Sequence, residues 1–175
     1  PPPVKEAALR LGIPVLQPDK VGRAAFRRDL AGLRPDAMFV VAFGAKFGER
    51  LLALPPLGTW NAHASLLPRH RGAAPIPWAI REGDAESGVT MFRLVPEMDA
   101  GPVALRIATP ITARDNAGTL ATRLAGLSAD GFMQLVGLLA RGTPSTFEQD
   151  PRDVTFTRKL SRADARVPWE LSATA

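Results

Sequence analysis

The chain has 175 residues, 46% apolar and 22% charged, with a formal charge of +5 and a pI near 10.6. That length can bury about two-thirds of the unfolded surface and so build one real core, and the composition is globular rather than disordered. No apolar run approaches the roughly 18 residues that span a bilayer, and the absence of cysteine excludes disulfides, thiolate catalysis and cysteine-rich zinc sites while favouring an intracellular setting.

In chain order, Val4 to Leu11 reads as a short helix ended by Gly12, and Ile13 to Leu16 as a short strand with proline at its edge. A second helix is predicted from Val21 to Leu33, because Phe26, Leu30 and Leu33 recur on one face. Met38 to Phe43 is a continuous apolar run closed by Gly44, the pattern of a strand buried on both faces. Phe47 to Leu54 reads as a helix, Gly58 to Ala62 as a strand and Ile76 to Arg81 as a helix after a proline-rich turn. Strand and helix therefore alternate through short links, which predicts an α/β fold around a mostly parallel sheet with right-handed crossovers. Ligands of such sheets bind beyond the carboxyl ends of the strands, here Phe43-Gly44 and Ala62-His63.

After Gly88 the pattern changes to two strands, Val89 to Val95 and Val103 to Ile107, joined by a short loop that contains Asp99. A long helix is expected from Ala117 to Ala140, with a kink near Asp130-Gly131. Beyond Pro144 the chain turns polar, so residues 1–150 read as one domain and 151–175 as a linker.

There is no glycine-rich dinucleotide fingerprint, no P-loop and no nucleophile elbow, and the chain holds only two histidines. Asn61 and His63 stand two apart at a strand end, so alternation puts both side chains on one face. An amide there can donate to a developing oxyanion, and an imidazole can exchange a proton near neutral pH. Together they suit acyl transfer to an amine. The alternative for Asn-x-His alone is a turn cap beside an ordinary polar residue, and for Asp99 a turn-forming aspartate before glycine. Ser65-Leu66-Leu67-Pro68, followed by Arg69-His70-Arg71-Gly72-Ala73-Ala74-Pro75, makes a rigid loop in which proline fixes φ and glycine lets backbone approach a ligand. That string is more particular than a connection requires.

Asn61-x-His63-x-Ser65-Leu66-Leu67-Pro68 resembles the signature of the folate-dependent formyltransferases, and Asp99 in Asp99-Ala100-Gly101 matches the aspartate of that family's Asp-x-Gly loop. The resemblance implies a Rossmann-like domain that moves a formyl group from 10-formyltetrahydrofolate to an amine, with Asn61, His63 and Asp99 catalytic and no metal. The flanks, Arg71-Gly-Ala-Ala-Pro-Ile76 and the segment from Thr155 to Trp169, resemble the branch whose acceptor is methionyl initiator tRNA. It further implies folate contacts at Val40, Val41 and Gly44 and along Ser65, Leu66, Leu67 and Pro68, although Val40 and Val41 are equally well explained as core.

Nearly all the positive charge is arginine, which suits RNA or a phosphorylated ligand and follows equally from genome composition. Arg69 and Arg71 would meet phosphates of an acceptor stem or simply solvate a loop. The family's opening βαβ unit and its barrel-like C-terminal domain have no counterpart in these 175 residues, so the expectation is a partial chain, incomplete at the N-terminus, from a cytoplasmic bacterial or organellar-matrix monomer. Rival readings are a formyltransferase for a sugar nucleotide or other small amine, and a non-catalytic RNA- or folate-binding module.

Overall fold

The computed structural model of the chain describes residues 1–44, 46–166 and 169; Val167, Pro168 and 170–175 of the expected linker lie outside them. Helix α1 (Pro3–Arg10) opens on a proline that needs no hydrogen-bonded N–H and ends at Gly12, whose φ of 68° is the left-handed conformation glycine adopts freely. The strand expected at 13–16 does not form. The Ile13 N–H is spent on the Ala8 carbonyl (2.8 Å) at the helix end, and Pro14 has no donor to offer a ladder. Helix α2 (Ala24–Gly32) is shorter than its apolar periodicity predicts.

Four strands form the main sheet, β1 (Met38–Val41), β2 (Thr59–His63), β4 (Glu86–Arg93) and β5 (Val103–Pro110), in the order β1-β2-β4-β5. The short helix α3 (Glu49–Leu52) links β1 to β2, which run parallel, whereas β2–β4 and β4–β5 pair antiparallel. The α/β architecture is the expected one, with parallel pairing in this sheet confined to the β1–β2 side. A second ladder, parallel, joins β3 (Arg71–Gly72) to β6 (Phe156–Thr157). Strand β1 is at the sheet's edge and half-buried, not covered on both faces: Phe39 and Val41 are 41% and 56% exposed. A continuous apolar run cannot by itself distinguish a central strand from an apolar edge.

Helix α5 (Ala117–Ala140) covers one face of the sheet, burying Leu120, Leu124, Leu135 and Leu139 against Trp60, Val89 and Met91. It runs unbroken through Gly131, where a kink is expected from sequence. The glycine serves packing instead, since a Cβ there would collide with the Met91 methyl group. Asn116 caps the helix, accepting from the Gly118 and Thr119 N–H groups while the Thr119 hydroxyl accepts from the Asn116 N–H. Asn116→Ala is expected to lower stability by about 1 kcal/mol in denaturant melts.

The neighbouring Asp115 is held far below the usual carboxylate range, first by Arg123 and then by the Thr112 N–H. A carboxyl depressed on folding stabilises above its unfolded pKa, and the contribution fades as pH falls through the folded value. Asp115→Asn should therefore melt below the parent chain at pH 6, with the gap closing progressively below about pH 4.

On α4 (Pro75–Arg81), two guanidinium groups approach the Trp78 ring, Arg81 at 5.0 Å and Arg158 at 5.2 Å from its centroid. Asp164 binds both arginines, at 3.0 Å and 2.6 Å, and the indole N–H donates to the Arg158 carbonyl at 2.7 Å. Residues 156–164 thus pack back onto the body of the domain through α4 and β3. No helix among the described residues is long and apolar enough to cross a membrane.

Candidate active site

Alternation along β2 sends Trp60 and Ala62 toward α5 and Asn61 and His63 to the opposite face. Two loops cover that face, residues 64–74 after β2 and 94–102 between β4 and β5. The first is fastened to β4. The Leu67 N–H donates to the Thr90 hydroxyl (3.0 Å), that hydroxyl donates to the Ser65 carbonyl (2.7 Å), and the Ser65 hydroxyl donates to the Arg69 carbonyl (2.6 Å). Leu67 is fully buried with Phe92 and Val103. Within the Ser65–Pro68 string, Ser65, Leu67 and Pro68 are therefore buried scaffold, and Leu66 is the half-buried member.

His70, left-handed at φ 58°, turns its carbonyl toward His63, whose Nε2–H donates to it at 2.8 Å. A carbonyl only accepts, so Nε2 carries a proton, and in the neutral ring the lone pair is on Nδ1. Nδ1 lies 3.7 Å from Asp99 Oδ2, with both side chains mostly buried. Asp99 is itself left-handed, at φ 52°, and its Oδ2 accepts the Gly72 N–H at 2.8 Å. Among the described residues the buried Asn61 side-chain oxygen has no hydrogen-bond partner, which leaves an acceptor open at this site. His63 and Asp99 thus meet at 3.7 Å between the two loops, and Asn61 shares the face of β2 with His63.

The other candidates divide. Val40 is in register with Asn61 and so shares its face, whereas Val41 pairs with Ala62 on the α5 side; Gly44 is exposed with open space around it. Arg71 donates through Nε (3.0 Å) and Nη2 (2.7 Å) to Gln149 Oε1, so its guanidinium is engaged inside the domain. Arg69 pairs with Asp84 at 2.5 Å and keeps a half-exposed side chain.

Sequence reasoning assigned nothing to Gln149 or to the second histidine. Gln149, 8% exposed, donates to the Asp99 and Gly101 carbonyls at 2.9 and 2.8 Å. The buried His70 ring meets Asp84 at 2.6 Å, and the His70 backbone N–H donates to the Thr155 hydroxyl at 2.8 Å. These contacts span up to 85 residues of chain and carry no local motif by which sequence could find them. A cleft of about 520 Å³ beside the loop is lined by Leu66, Pro68, Arg69, Arg106 and Arg152, and none of the three central residues lines it.

Comparison with known proteins fits this geometry. Residues 2–136 match the family described as formyl transferase. The methionyl-tRNA formyltransferase of Pseudomonas fluorescens (strain SBW25) is 46% identical over 173 residues, covering 99% of this chain and 55% of that protein. Its counterpart in Stutzerimonas stutzeri (strain A1501) is 47% identical over 169 residues, with 97% and 54% covered. The chain thus spans about half the length of the curated relatives it matches. Glycinamide ribonucleotide transformylase 1 from Symbiobacterium toebii superposes with a TM-score of 0.71 at 24% identity over 83% of this chain and 74% of that one, a likeness of fold.

Proposed function

The chain belongs to the formyl transferase family, and on that premise we propose that it is the formyl-transfer centre of a methionyl-tRNA formyltransferase. The donor in this reading is 10-formyltetrahydrofolate and the acceptor is the α-amino group of methionyl initiator tRNA, in a monomeric enzyme of the bacterial cytoplasm. The approach of His63 to Asp99, with Asn61 on the same face of β2, carries the reading, supported by identity to curated relatives of that name. Residues 1–150 supply the chemistry, and 151–175 lead toward a further domain after bracing the catalytic loop through β6.

The neutral amine attacks the formyl carbon, and the carbonyl electrons move to oxygen. The Asn61 amide donates to that oxygen, a contact of the kind that lowers a barrier by about 3 kcal/mol. His63 Nδ1 takes the proton from the attacking nitrogen and returns it to the folate nitrogen as the C–N bond breaks. Asp99 stabilises the transient imidazolium across 3.7 Å. The folate lies against Val40 and the Gly44 end of β1, with Leu66 and the 94–99 loop alongside, while Ser65, Leu67 and Pro68 hold the loop's shape.

The test is formylation of charged initiator tRNA against a sugar-amine acceptor, both with 10-formyltetrahydrofolate. Preference for the sugar amine would replace the acceptor, and no transfer to either would leave a binding module. Of the two arginines, Arg69 is the better candidate for an acceptor-stem phosphate, because its side chain, though paired with Asp84, stays half-exposed. Arg69→Ala should flatten the salt dependence of tRNA affinity by about one unit of log-log slope. Arg71→Ala should leave that slope unchanged and lower turnover instead, because its guanidinium is bound to Gln149.

A further inference from the structure

We infer that Gln149 is a positioning residue for Asp99, a role that rests on the proposed catalytic function of Asp99. Asp99 stands in the left-handed region at φ 52°, a conformation that costs an aspartate energy and persists only where the surroundings hold it. Two kinds of restraint act on it. The Gly72 N–H fixes Oδ2 from the side-chain end. Gln149 fixes the backbone: its single amide nitrogen donates to the carbonyls on both sides of Ala100, at Asp99 (2.9 Å) and Gly101 (2.8 Å), and so clamps the turn.

The clamp is itself oriented. The Gln149 oxygen accepts two hydrogen bonds from Arg71, which commits the amide nitrogen to the loop carbonyls. Arg71 precedes Gly72, the donor to Asp99 Oδ2, and both residues are paired with β6. One buried glutamine therefore joins the chain's late segment to both loops that face His63. Methionine at 149 would fill the same space with neither donor nor acceptor, leaving two carbonyls and a guanidinium unsatisfied. The Asp99 turn would then relax toward ordinary φ values and carry the carboxylate away from Nδ1. Displacements of an ångström at a reacting group cost on the order of 100-fold in rate.

The experiment is a double-mutant cycle on the intact protein with Gln149→Met, Asp99→Asn and the pair, read as single-turnover formyl transfer alongside thermal melting. Gln149→Met alone should lower the transfer rate on the order of 10- to 100-fold with a smaller change in KM. In the Asp99→Asn background the same change should cost no more than about twofold, since the group it positions is already disabled. Equal losses in both backgrounds would overturn the inference and leave Gln149 a general structural residue. Near-normal transfer by Asp99→Asn alone would instead remove the catalytic reading of Asp99, a separate failure that the same cycle reveals. Should Gln149→Met unfold, Gln149→Glu repeats the comparison while retaining an acceptor for Arg71.

Discussion

His63→Ala and Asp99→Asn are each expected to reduce formyl transfer by about 10²- to 10⁴-fold, the range associated with loss of a positioned acid–base group. The two variants differ in what else they disturb. Asn at position 99 keeps an oxygen that can accept the Gly72 N–H, so the loop should hold its course and only the charge beside Nδ1 is lost. Ala at position 63 also leaves the His70 carbonyl without its donor in a buried setting, which costs about 1–3 kcal/mol of stability in addition. Circular dichroism should show both chains folded, with His63→Ala melting at lower temperature. Because the two groups act on one proton, the double variant should be scarcely slower than the worse single. Near-normal turnover in both singles would sink the assignment.

Gly101→Ala should disrupt the same site without touching a reacting group. A Cβ at 101 would overlap the carbonyl oxygen of Arg93, which is backbone and cannot swing aside as a side chain would. Nor can the loop retreat freely, since Gln149 holds the Gly101 carbonyl and the Arg93 N–H is bonded to Pro102. Overpacking of this kind costs about 1–3 kcal/mol, and relief by displacing the turn carries Asp99 with it. Turnover should then fall toward that of Asp99→Asn although Asp99 is intact. Gly126→Ala is the control, on α5 with open space around the site, and should raise stability by about 0.4–1 kcal/mol with activity unchanged. An active, stable Gly101→Ala would show that the turn tolerates a shift.

Much of the fold and the meeting of His63 with Asp99 were legible in the sequence, and the illegible parts share a physical cause. Period-two alternation is enough to put Asn61 and His63 on one face, and capping chemistry marks the start of α5 at Asn116. Burial on the two faces of β1 was not legible, because sequence records apolarity but not what covers it. Gly131 reads as a helix breaker from propensity, whereas α5 runs unbroken through it and the close approach of Met91 explains the glycine. Arg71 looked like a free cation from its loop setting. Its partner, Gln149, is 78 residues away, and no local pattern announces that meeting. The same distance hid the parts played by Gln149 and Thr155 in holding the loop, at the boundary where the chain turns polar and reads as linker from 151.

The Trp78 indole, in contact with both Arg81 and Arg158, gives the molecule a built-in optical gauge. Trp60 is sealed in the core, 1% exposed, and its emission should follow global unfolding alone. Trp78 emits under the influence of two guanidinium groups and a hydrogen-bonded carbonyl, and Arg158 leaves with residues 156–165 if that segment peels away. Its fluorescence therefore reads the seating of β6 on β3, and through β3 the state of the loop that holds His63, in a protein whose core has not yet begun to melt.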